Sequence, residues 1–146
     1  MGKFLFRNVN IIASDINDSF GKIIGDGLYR KDEVGRIPEN ILKTYFVPHQ
    51  NKADQYVISN EIKKSIQFLH HDLLSLNPPR TGFCLIMCKN VLLHFNPQEQ
   101  IKVINMFYDA LEQGGFFVTE QTQKMPEELN DKFQRVVGNA QLFRKV

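Results

Sequence analysis

Tryptophan is missing from this sequence, and cysteine occurs only twice, at Cys84 and Cys88. On an extended strand these two thiols would share a face yet stand ~13 Å apart, too far for a disulfide. A zinc site needs about four ligands, and no second cysteine pair is present. Both cysteines are therefore expected to be small buried hydrophobes. Charge of one sign is also scarce. The formal net charge is +2, with no block of like charges, which gives no reason to expect a polyanion or nucleic-acid partner. No apolar run approaches a membrane span. Residues 1–12, MGKFLFRNVNII, are too short and too interrupted for a secretory leader. The expectation is a cytoplasmic protein without membrane insertion.

The familiar catalytic signatures are absent too. There is no G-x-S-x-G, no P-loop and no G-x-G-x-x-G. No serine or cysteine has a locally placed base, so nothing supports nucleophilic catalysis. The four histidines have no matching carboxylate cluster to suggest a metal, and His70 and His71 would point to opposite faces of a strand.

What is present is an ordinary globular composition, 42% apolar with 12 phenylalanines over 146 residues, enough for one domain with a core. Residues 9–13, VNIIA, read as a buried strand. A short helix capped by Asn17 or Asp18 should run to about Gly25, followed by a turn-rich connection. Pro38 suits the first turn of a helix over 39–45. Two β-prone pieces around a polar turn predict a small hairpin within 46–59. A helical turn over 61–65 and a strand over 66–69 follow, then a loop, NPPRTG, at 77–82. Residues 83–88, FCLIMC, are continuously apolar, as in a strand covered on both faces. Ile101, Ile104, Phe107, Tyr108 and Leu111 recur at helical spacing, which predicts a helix from Pro97 to about Gln113 ended by Gly114-Gly115. Strands over 116–119 and 140–146 and a helix over 127–135 complete the reading. Strands alternating with helices predict an α/β sheet.

In such sheets ligands lie beyond the carboxyl ends of the strands. Three polar signatures fall there: Asp15, Asp72 and the pair Lys89-Asn90. An aspartate after an early strand can accept from both hydroxyls of a ribose, and one on a neighbouring loop can accept from an adenine amino group. Lys89 and Asn90 could hold a carboxylate or line a substrate. A plainer reading stands beside each: Asp15 as a helix cap, Asp72 as a turn residue, Lys89 reaching out to water. His94 could pack in the core or face the crevice.

The stretches "IIASDINDSFGKIIGDGLYRKDEV", "IPENILKTYF", "FLHHDLL", "CLIMCKNVLLHFNPQEQIKVINMFYDALEQGGFF" and "AQLFRKV" together resemble the CheR family of chemotaxis-receptor methyltransferases. That family carries "ATDID", "GIY", "CRNVLIYF" and "PGG" at matching places, and the likeness runs from about residue 9 to 146. The resemblance implies an incomplete Rossmann-like class I methyltransferase sheet with a small β-hairpin insertion at 46–59. It implies S-adenosylmethionine as cofactor and the glutamate carboxylates of chemoreceptor proteins as methyl acceptors. Asp15 would bind the ribose. Asp72, where the family usually has asparagine, and the backbone of Leu73 would meet the adenine. Lys89 and Asn90, matching the family's Arg-Asn, would lie near cofactor and acceptor. The family's N-terminal helical domain, first strand and cofactor loop have no counterpart here. That strand is central in the family's sheet, so a partner chain, a second copy, or repacking of Lys3–Arg7 would be needed to complete it. An inactive remnant or protein-interaction module is the alternative, with the hairpin pairing to a peptide. Lys89, His94 and Gln113 stand where the family has arginine, tyrosine and proline.

Overall fold

The computed structural model describes residues 8–146, in two compact units divided between His71 and Asp72. The repacking expected of Lys3–Arg7 and most of the stretch read against a leader lie outside the described residues.

The first unit opens with strand β1 (Ile11–Asp15) and helix α1 (Ser19–Asp26). The helix ends as its sequence dictates. Gly27 takes a left-handed φ of 58° and its N–H donates to Ile23 O at 2.9 Å, a conformation that glycine adopts without a Cβ penalty. The connection read as turn-rich holds strand β2 (Leu28–Arg30) and a one-turn helix α2 (Lys31–Val34). Pro38 lies at the N-cap of α3 (Glu39–Tyr45) rather than within its first turn. The predicted hairpin is β3 (Phe46–Pro48) with β4 (Gln55–Ile58), and β2 adds to its far side, giving the order β2-β4-β3. Helix α4 (Asn60–Ser65) leads into β5 (Ile66–His70), which pairs in parallel with β1, Asp15 opposite His70.

The second unit is built on the sheet β6 (Phe83–Met87), β7 (Leu111–Val118), β9 (Leu142–Lys145) and β8 (Phe133–Arg135), in that spatial order. The β6–β7 pair is parallel and the rest antiparallel. Helix α5 (Pro97–Ala110) covers one face. Its start is strongly encoded: Asn96 and Glu99 form a reciprocal capping box and Pro97 occupies the first turn. Val103, Ile104, Met106 and Phe107 bury its inner stripe against Phe117, Phe133 and Phe143, and Ala110 is buried on the same helix. Phe117 is central, 1% exposed, with its ring 5.5 Å from Phe107 and 5.9 Å from Phe133. The α/β class holds, and so does the partial sheet: parallel pairs are present, yet among the described residues β1 pairs only with β5 and β6 only with β7.

Four expectations are corrected. The helix from Pro97 ends at Ala110, and Gly114-Gly115 lie inside β7. There they form a bulge: Phe83 faces Leu111 while Leu85 faces Phe116, and Gly114 has φ +77°. The helix predicted over 127–135 is a 3₁₀ turn (Glu127–Leu129) followed by β8, because Phe133 enters the core at strand spacing. The strand 83–88 is covered on one face only. Ile86 and Cys88 turn inward, whereas Leu85 and Met87 are 47% and 62% exposed. Cys84 is exposed even though it shares strand parity with Ile86 and Cys88, and only Cys88 is the buried thiol expected of both.

Candidate functional site

Asp15 is half-buried and is the last residue of β1, which runs two residues past the Ala13 end expected from the sequence and is only partly buried. One of its carboxylate oxygens accepts from the Asn17 N–H at 2.8 Å, and its own carbonyl accepts from His71 N–H at 3.0 Å. Asn17 in turn accepts from the Ser19 N–H at 2.9 Å. These Asx turns carry the chain from the strand end into α1. They commit one oxygen of Asp15 and leave the second without a hydrogen bond among the described residues.

In the second unit, Asp72 is exposed and accepts from Leu74 N–H at 2.9 Å, which starts a 3₁₀ turn (Leu73–Ser75). The plain turn role and a ligand role coexist here, since the other oxygen again has no described partner. Leu73 anchors the turn by packing against the cluster of Leu92, Val103 and Phe107, to which Val91 and Phe95 also pack. One hydrophobic cluster thus sets both Asp72-Leu73 and the segment after Asn90. His94 ends a 3₁₀ turn (Leu92–His94) and is exposed, so it is not a core residue.

Lys89 and Asn90 lie just past the end of β6, after Cys88, and both are exposed. Asn90 adopts φ +58°, the left-handed region where asparagine is tolerated better than most residues. Its N–H donates to the Glu120 carboxylate at 3.0 Å. Glu120 was missed in the sequence reading. It follows β7 just as Asp15, Asp72 and Lys89 mark the ends of their strands, so the rule that selected those residues would have selected it too. The side chain is buried, and the same oxygen accepts from the Thr119 hydroxyl at 2.9 Å. Burial alone would raise its carboxyl. The backbone N–H groups of Glu120 and Asn90, the Thr119 hydroxyl and the charge of Lys89 outweigh this and hold it below the usual carboxylate range. Beside it, burial and the negative charge of Glu120 push the Cys88 thiol up to about 12, which keeps it protonated and unreactive.

A cavity of about 440 Å³ lies elsewhere in this unit, between the first turns of α5 and residues 122–128, with Gln100, Ile101, Gln123 and Met125 in its wall. None of Asp72, Leu73, Lys89 and Asn90 lines it. Among the described residues no helix is long and apolar enough to cross a membrane.

The chain is 33% identical over 109 residues to a chemotaxis protein methyltransferase of Listeria monocytogenes, covering 75% of this chain and 40% of that protein. It is 28% identical over 145 residues to a chemotaxis protein methyltransferase of Vibrio parahaemolyticus, covering 97% of this chain and 51% of the relative. The chain therefore spans about half the length of these relatives or less. A solved structure described as "PigF with SAH" overlays 84% of the chain and 29% of its own at a TM-score of 0.45 and 15% identity. Residues 3–142 match the family described as "CheR methyltransferase, SAM binding domain", and with nearly the whole sequence inside that match the chain belongs to this family.

Proposed function

We propose that residues 1–146 are a partial CheR-type methyltransferase domain, with 46–59 as its small β subdomain. It uses S-adenosylmethionine to methylate glutamate carboxylates of a chemoreceptor-like protein in the cytoplasm. The carrying observation is family membership across 3–142. The donor set is compatible with this cofactor. Asp15 and Asp72 each keep one carboxylate oxygen uncommitted, suited to a ribose hydroxyl and an adenine amino group respectively. The backbone of Leu73 would lie along the adenine, and Lys89 and Asn90 would face the cofactor and the acceptor.

When bound, the cofactor supplies an electrophilic sulfonium methyl. The acceptor glutamate is ionised at neutral pH, with a reference pKa of roughly 4.3, so the displacement needs no general base. What this chain must contribute is alignment: a fixed ribose, a fixed adenine, and a cation, Lys89, near the incoming carboxylate. Lysine offers a point charge there and forgoes the bidentate grip of an arginine.

One observation favours a second reading, in which the chain binds cofactor only with a partner chain or a second copy completing its sheet. Strand β6 has one paired edge among the described residues and exposes Leu85 and Met87, and such an edge invites strand addition. Calorimetric titration with S-adenosylhomocysteine, with Asp15→Ala as control, separates the readings. Micromolar binding lost in the control supports a self-sufficient site. No heat at high protein concentration rules that out and points to the assembled form or to an inactive module.

A further inference from the structure

Glu120 is a carboxylate 7% exposed at the end of an apolar strand. Only one of its oxygens is used, by Asn90 N–H at 3.0 Å and the Thr119 hydroxyl at 2.9 Å. The second oxygen is buried with no hydrogen-bond partner. Burying a half-satisfied carboxylate is unfavourable, and a neutral or apolar residue would serve the core better. The residue it holds is itself unusual. Asn90 is one of two non-glycine residues with positive φ among those described, and it sits at the turn that aims Lys89 and Asn90 out of β6. Strain at such a place persists where the surroundings over-determine it. Thr119 is fixed in turn, since its N–H donates to Gln141 O at 3.1 Å, and Cys88 N–H donates to Val118 O at 2.9 Å. The ends of β6 and β7 are thereby locked side by side, with the Glu120 carboxylate across them.

We propose that Glu120 is a positioning residue for the Lys89-Asn90 turn: its carboxylate clamps the Asn90 amide in the left-handed conformation and so sets where Lys89 and Asn90 meet their ligand. The clamp stands on this geometry alone. Its effect on ligand binding rests on the cofactor reading above.

The test uses the 146-residue chain with Glu120→Gln and Glu120→Ala. The first readout is the Asn90 amide in ¹H–¹⁵N spectra across acid pH, with Lys89 and Cys88 as the charged and titratable neighbours of the carboxyl. In the native chain the Asn90 amide proton lies downfield and moves on acidification with a midpoint below the ordinary glutamate range. Glu120→Gln keeps an acceptor but abolishes that titration, and Glu120→Ala shifts the proton upfield. An Asn90 amide that titrates identically in all three chains overturns the clamp. The second readout is S-adenosylhomocysteine affinity, expected to fall about tenfold in Glu120→Ala, the worth of one charge-assisted hydrogen bond, with partial recovery in Glu120→Gln. Equal affinity in all three overturns the link to the ligand. Absence of binding by the native chain together with the Asn90 signature sustains the clamp and overturns the self-sufficient cofactor site instead.

Discussion

The ammonium of Lys145 donates to the carbonyl of Leu111 at 2.8 Å and to that of Tyr108 at 2.6 Å, closing the C-terminus of α5 from the last strand of the chain. It also lies 4.2 Å from the centre of the Tyr108 ring. A helix end leaves carbonyls without intrahelical partners, and a cation there meets both the hydrogen-bond need and the helix dipole. Replacing Lys145 by methionine keeps the apolar stem and removes the cap. The expected cost is about 1–2 kcal/mol, read as a lower urea midpoint with unchanged slope. A midpoint equal to that of the native chain would refute the role.

Phe117 is the residue on which the second unit's core converges, touching Phe107, Phe133 and Phe143 from β7. Phe117→Ala is expected to cost roughly 3–5 kcal/mol, a transfer loss plus a cavity. Leu85→Ala on the neighbouring strand, where the side chain is half exposed, should cost under about 0.5 kcal/mol. Denaturant unfolding of the two variants side by side checks the contrast, and similar losses would mean the β6 outer face is covered in solution.

Acid should act on stability through Glu120. Its carboxyl is held below the usual range in the folded chain and returns to about 4.3 on unfolding. Between those values the unfolded chain takes up a proton that the folded chain refuses, so acidification favours unfolding. The stabilisation is complete above the unfolded value and disappears as pH falls through the folded one. Glu120→Gln removes this contribution. Urea midpoints measured from about pH 6 to about pH 3 should therefore fall more steeply for the native chain than for the variant. Parallel curves would count against the clamp.

The two thiols should separate cleanly. Cys84 is exposed, whereas Cys88 is buried with its thiol pushed up to about 12. With a disulfide reagent near neutral pH, one thiol per chain should react promptly and the second only after unfolding. Mass analysis of the fast product should place the label on Cys84. Equal labelling of both under native conditions would show that the β6 end opens readily.

Much of this was legible in the residues themselves. The start of α5 is spelled out by Asn96, Pro97 and Glu99, because a capping box uses atoms three positions apart. The family likeness, the hairpin and the strand-end positions of Asp15, Asp72 and Lys89-Asn90 could likewise be read from local pattern. The end of α5 could not. Gly114-Gly115 looked like its stop signal, yet the stop is Lys145, 34 residues beyond Leu111, and the glycines serve a bulge whose need is created by β6. Cys84 and Cys88 look alike in an apolar run and share a strand parity, and which of them is buried depends on which end of β6 meets the core cluster: Cys88 joins Leu92, Val103 and Phe107 there and Cys84 does not. Glu120 shows the same division: its place after a strand is a sequence property, but its hold on Asn90, 30 residues away, exists only once β6 and β7 lie in parallel. Local chemistry determined caps, turns and periodicity through atoms a few residues apart. Tertiary structure decided coverage, helix ending and the clamp, because each needs a partner that only the folded chain brings within hydrogen-bond reach.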